Sequence, residues 1–103
     1  MSRVTLEPKY GAEIQKQVFD FASDLAVGET ISTQTVTATV YSGTDANPAA
    51  IISGGASASG TKVTQTITGG FTGVIYVLTC TITTSLSQTL KLVGYLLILP
   101  PEA

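Results

Sequence analysis

The chain has 103 residues, five basic and seven acidic side chains, no histidine and a single cysteine, for a formal net charge of -2. That length holds one core and no separate catalytic domain, and an acidic chain (pI near 4.7) without a Lys/Arg cluster excludes a phosphate-binding surface for nucleic acid. Charged residues make up 12% where an ordinary soluble domain carries about 25%, so part of the surface is expected to be covered by other subunits.

Charge gathers at the start: Arg3, Glu7, Lys9, Glu13 and Lys16 precede a body in which only Lys62 and Lys91 interrupt the neutral stretch from Ala46 to Pro101. Residues 1–15 are read as an extended N-terminal arm and residues 16–103 as the domain. Glu7-Pro8 disfavours helix and Tyr10-Gly11 suggests a bend. The arm is expected to be held by a neighbour, with Arg3 and Tyr10 as contacts; a frayed terminus is the alternative.

Gln17 to Phe21 predicts a first strand with Phe19 and Phe21 inward. A turn-rich connection around Leu25 and Val27 leads to Ile31–Tyr41, where Val36, Ala38 and Val40 alternate with Thr35, Thr37 and Thr39. Ser42 to Pro48 is turn chemistry. Ala49–Ser53 predicts a short third strand, Gly54-Gly55 a break, and Ala56–Ser59 a brief edge strand.

Thr61–Thr68 follows with Val63 and Ile67 inward. Gly73–Thr84 then sets Val74, Tyr76, Leu78, Cys80 and Ile82 against Thr79, Thr81 and Thr83. After Ser85-Leu86-Ser87, Gln88–Leu99 continues the inner face with Leu90, Leu92, Leu96 and Ile98. Gly94 in that register predicts a bulge or a close backbone approach. From Val93 onward the other face is apolar too, with Tyr95, Leu97 and Leu99, and something must cover it. Pro100-Pro101 stops the ladder.

Short strands spaced by Gly and Pro turns, with no helical period, describe an all-β chain: an antiparallel, immunoglobulin-like β-sandwich of six or seven strands with an extended N-terminal arm. The absence of a second cysteine and of tryptophan argues against antibody-domain kinship, and a small closed barrel is the alternative.

Chemistry is hard to place on this chain. Without histidine the commonest general base and metal ligand is missing, and no hydrolase triad can be built. Cys80 lies mid-strand in an apolar register and reads as a buried structural thiol. Asp20, Asp24 and Glu29 match no EF-hand spacing and read as solvated turn acids. No Gly-Lys-Thr or Gly-Lys-Ser follows the glycines from Gly54 to Gly60. No enzyme, catalytic residue, metal or cofactor is therefore expected. The apolar run Leu92–Leu99 is far short of the roughly 20 residues of a spanning helix, the start lacks a secretory pattern, and no membrane partner is expected. Tyr76 reads as core with its hydroxyl satisfied by backbone. Tyr41 and Tyr95 read as outward-facing interface residues.

The segments F-D-F-A-S-D-L-A-V-G-E-T-I (Phe19–Ile31), V-Y-S-G-T-D-A-N-P (Val40–Pro48), G-T-K-V-T-Q (Gly60–Gln65) and T-C-T-I-T-T-S (Thr79–Ser85) resemble small virion proteins of tailed bacteriophages. They are most similar to those known as fibre-tail adaptor or neck proteins. The likeness spans Val18 to Leu99, omits the arm, and carries no catalytic residue. It implies a non-enzymatic, multicopy virion component, made in the bacterial host cytoplasm and contacting neck, connector, fibre or capsid proteins as a homo-oligomer. The leading reading is a neck or tail adaptor joining fibre to head-tail connector; a capsid decoration protein and a carbohydrate-binding module are the alternatives. The candidate partner contacts are Arg3, Tyr10, Tyr41, Val93, Tyr95, Leu97 and Leu99.

Overall fold

A computed structural model of the chain describes residues 2–5, 9–10 and 14–99. Among them are eight strands: β1 (Ser2–Thr5), β2 (Lys9–Tyr10), β3 (Ile14–Asp20), β4 (Ile31–Ser42), β5 (Ile52–Ser59), β6 (Lys62–Thr68), β7 (Ile75–Thr84) and β8 (Thr89–Leu99). Two sheets form. In one, β4, β7 and β8 run antiparallel and β1 and β2 add to the outer edge of β8 in parallel; the other is the antiparallel sheet β3-β6-β5. The expected sandwich is therefore what the chain makes, with six strands in its body, and the barrel is excluded because the sheets stay separate. The expected Pro100-Pro101 stop, Glu7-Pro8 and Gly11 lie outside the described residues.

The inward positions of the alternating strands meet in one core. Phe19, Phe21, Val63 and Ile67 from one layer pack with Val36, Ala38, Tyr76, Leu78, Cys80, Ile82, Leu92, Leu96 and Ile98 from the other. Each fully buried aliphatic or aromatic side chain contributes about 1.5 to 3 kcal/mol, and this burial is the main favourable term in a chain whose single cysteine is free. Gly94 pairs with Leu78 with no shift of register, so no bulge forms there.

Three local expectations change. Pro48–Ile51 is a 3-10 turn instead of a strand, with Pro48 in its first turn, where a missing N–H costs nothing. Gly54-Gly55 does not break the chain: β5 continues through them, with a register shift against β6 between Ser53 and Ser57. Gln65, 1% exposed between Val63 and Ile67, supports that irregularity. Its Nε2 donates to the carbonyls of Ser53 (3.0 Å), Gly54 (3.2 Å) and Thr66 (3.0 Å), and Gln34 Nε2 of β4 donates to Ala56 O at 3.1 Å. Two glutamines thus bind carbonyls along the irregular part of β5.

The third change concerns Glu29, which is 6% exposed and not a solvated turn acid. Its carboxylate accepts hydrogen bonds from the Thr84 hydroxyl and from Ala26 N–H (2.9 Å), tying the β3–β4 connection to the end of β7. Alongside, Ser85 N–H donates to Thr30 O and Thr30 N–H to Ser85 Oγ. The Thr84 hydroxyl, ahead of the Ala26 amide, holds the Glu29 carboxyl below its ordinary range, outweighing burial.

Candidate docking face

The outer face of the β4-β7-β8 sheet can be read row by row from the register. At one end stand Thr33, Thr83 and Thr89, then Thr35, Thr81 and Lys91. The middle row is Thr37, Thr79 and Val93. Beyond it come Thr39, Val77 and Tyr95, and the last row pairs Ile75 with Leu97. The face is therefore divided across its strands. One half carries hydroxyls and a lysine, with Thr33 Oγ1 and Thr83 Oγ1 2.6 Å apart, and the other, Thr39 apart, is aliphatic and aromatic.

Tyr41 joins the apolar half through a backbone irregularity. Val40 pairs with Tyr76 but Ser42 pairs with Ile75, leaving Tyr41 as the extra residue of a bulge in β4. Bulges re-aim side chains. Here the Tyr41 ring reaches across β7 to the Tyr95 ring on β8, with centroids 4.7 Å apart and planes at 50°. Since adjacent strands are about 4.8 Å apart, β4 and β8 are two spacings apart and the rings close that gap above β7. Tyr41 is 61% exposed, Leu97 37% and Tyr95 36%, with Ile75, Val77 and Leu99 half-buried around them.

The structure brings Tyr41, Val93, Tyr95, Leu97 and Leu99 to one sheet, with Tyr41 and Tyr95 in ring contact. Arg3 is paired in register with Val93 and Tyr10 with Leu99, so the arm flanks this sheet on the same chain. Val93 is only 8% exposed, so it contributes little accessible surface. Ile75 and Val77 belong to the patch and were not singled out from sequence. Their signal was present, because they share the parity of Thr79, Thr81 and Thr83 yet are apolar, as Tyr95 and Leu97 are on β8.

Elsewhere the polar groups are structural. Tyr76 is fully buried, and its hydroxyl donates to Asp45 Oδ2 (2.7 Å) while accepting Phe71 N–H (3.1 Å), so a carboxylate shares the role expected of backbone. Burial first, then the Asp45 bond, raises the Tyr76 hydroxyl above its ordinary value. A pocket of about 260 Å³ lies beside this pair, but Asp45 Oδ1 already accepts Asn47 N–H at 2.9 Å. Cys80 is buried and its thiol is pushed up to about 12 by desolvation, which keeps it a neutral core group. Asp20 accepts Ala22 N–H (2.9 Å) and the Thr61 hydroxyl (3.0 Å), which hold its carboxyl below its ordinary range. Among the described residues no group of three His, Cys, Asp or Glu side chains is placed to hold a metal ion, and no helix is long and apolar enough to cross a membrane.

The fold is thus a two-layer β-sandwich with hydroxyls on one half of a sheet face and mainly apolar side chains on the other. The chain belongs to the family described as podophage GP4 fiber-tail adaptor protein gp77, whose model matches residues 9–93, from β2 to Val93 of β8. No curated protein and no solved structure matches the chain, so the immunoglobulin-like part of the expectation rests on sequence alone. Membership makes the protein a structural adaptor of the phage tail, a component of the virion in contact with other virion proteins. The decoration and carbohydrate-binding readings gain no support from it.

Proposed function

We propose that the protein is a non-enzymatic adaptor, present in several copies, that joins a tail fibre to the head-tail connector, and that the apolar half of the β4-β7-β8 face seats one of those partners. The observation that carries this reading is the clustering of neighbouring apolar side chains at one end of one sheet face. Tyr41, Ile75, Val77, Tyr95, Leu97 and Leu99 adjoin there without a described charge, while Lys91 sits in the threonine half. The opposite sheet offers no equivalent, because its exposed Ile14 and Val18 alternate along β3 with Lys16 and Asp20.

Covering the 37% of Leu97 that is still accessible adds about 1 kcal/mol, and the two tyrosines add aromatic area of the kind that anchors protein contacts. In this reading the chain is made in the host cytoplasm and acts only after incorporation. The test compares Leu97→Asp and Tyr41→Asp with Thr35→Asp in otherwise unaltered phage. Loss of fibres from particles with either of the first two, with fibres kept by the third, is expected. Particles that keep their fibres with all three substitutions would remove the face from the adaptor role.

A further inference from the structure

The end of the sandwich that carries the apolar half of the face also holds the pocket of about 260 Å³. Its lining includes Asp45 and Asn47 from the loop after β4, Ala50 and Ile51 from the 3-10 turn, and Gly70 and Phe71 from the loop before β7. This second loop is pinned by its backbone. Gly73 N–H donates to Ile98 O at 2.9 Å, Val74 N–H to Phe71 O at 3.1 Å, and Phe71 N–H to the Tyr76 hydroxyl at 3.1 Å. Yet the Phe71 side chain stays 59% exposed, whereas Phe19 and Phe21 are fully buried. A fixed turn thus holds an aromatic ring out to solvent beside a cavity.

Asp45 brings a charge that its neighbours do not balance. It is half-buried, its Oδ2 accepts the Tyr76 hydroxyl at 2.7 Å and its Oδ1 accepts Asn47 N–H at 2.9 Å. Both donors are uncharged, and among the described residues no lysine or arginine is paired with it. A carboxylate oxygen has two acceptor positions, so each keeps one open. Taking a carboxylate partly out of water without a cation is unfavourable. The cavity is also small, since pockets for whole small molecules run from about 300 to 1,000 Å³. It has room for one side chain.

Arginine matches each of these features. Its fork donates two parallel N–H groups to the two oxygens of one carboxylate, its stem lies along apolar surface such as Ala50 and Ile51, and its plane stacks on an aromatic ring. Lysine lacks the fork, and a neutral side chain leaves the charge unbalanced. The chain's own arginine, Arg3, is held in the ladder opposite Val93, away from this end of β8, so the occupant comes from another protein.

We infer that this pocket receives an arginine side chain of a partner virion protein, gripped by Asp45 and stacked on Phe71. It forms a second contact beside the apolar half of the face, because the loop that carries Phe71 leads directly into Ile75. The inference rests on the adaptor reading only for the kind of partner; selectivity for a guanidinium is a property of the chain alone.

The experiment titrates the isotope-labelled full chain with N-acetylarginine amide, and in parallel with N-acetylcitrulline amide, which has the same shape without the charge. The arginine probe is expected to shift the amide resonances of Asn47, Ala50 and Phe71 saturably, with a millimolar dissociation constant, and the citrulline probe to leave them nearly unmoved. Asp45→Asn should weaken binding about tenfold or more. Phe71→Ala, which removes an exposed ring and keeps the core, should weaken it about two- to fivefold. Thermal melts establish that each variant is folded, and Phe71→Ala decides the matter if Asp45→Asn is not. Equal responses to the two probes, no saturable response, or unchanged affinity in a folded variant would overturn the inference. That outcome leaves fibre loss by Leu97→Asp free to stand. Conversely, selective arginine binding in a chain whose Leu97→Asp and Tyr41→Asp particles keep their fibres would reject the docking face and keep the pocket.

Discussion

Replacing Tyr76 by phenylalanine tests whether one buried hydroxyl fastens the loops that end the apolar half of the sheet. The ring stays in a fully buried site, so packing is conserved and the change isolates two hydrogen bonds: donation to Asp45 Oδ2 at 2.7 Å and acceptance from Phe71 N–H at 3.1 Å. A bond to a carboxylate is worth about 1.5 to 3 kcal/mol, while Phe71 is exposed and its freed N–H can turn to water at small cost. The expected loss is about 2 kcal/mol, or on the order of 10 °C in Tm for a domain of this size. Asp45→Ala removes the same bond and also the acceptor for Asn47 N–H. In urea melts followed by circular dichroism, the double variant should fall short of the summed single effects by about 1 to 2 kcal/mol. If the two losses simply add, the hydroxyl and the carboxylate do not act together and the fastening argument fails.

The Glu29 carboxyl lies below its ordinary range because the folded chain hydrogen-bonds its charged form, so its stabilisation is present above the unfolded value and is lost as pH falls through the lower folded one. Urea midpoints measured from pH 7 downward should therefore drop more in the parent chain than in Glu29→Gln, and the two curves should converge in acid; parallel curves would show that Glu29 is not coupled to folding. Gly70→Ala should cost about 1 to 3 kcal/mol in thermal melts, since φ is +98° and the added Cβ would stand 2.9 Å from Ile98 Cγ1. Ser87, the described non-glycine residue with positive φ (62°), closes the β7–β8 hairpin. Ser87→Gly should raise stability by up to about 1 kcal/mol, checked by the same melts, because only glycine adopts that conformation without a Cβ penalty.

The alternation of apolar residues and threonine fixed much of this fold in advance, because side-chain direction in a strand is a local property of period two. It placed Phe19, Val36, Tyr76, Leu78, Cys80 and Leu96 inward and marked Tyr41, Tyr95 and Leu97 as outward. The same rule misjudged Glu29, since its hydrogen-bond donor Thr84 is 55 positions away and only the folded chain brings them together. It passed over Gln65 for a similar reason: a polar residue in an inward register becomes tolerable only when irregular carbonyls from another strand meet it.

What the sequence by itself determined is thus the class of structure, the two faces of each strand and the place where the threonine pattern stops. Tertiary structure decided the rest. Strand neighbours are chosen by backbone groups common to all residues, so no side-chain pattern showed that the arm would run parallel to β8 of its own chain. Nor could alternation show that a bulge would swing Tyr41 across β7 onto Tyr95, because an extra residue is defined only against the strand it fails to match.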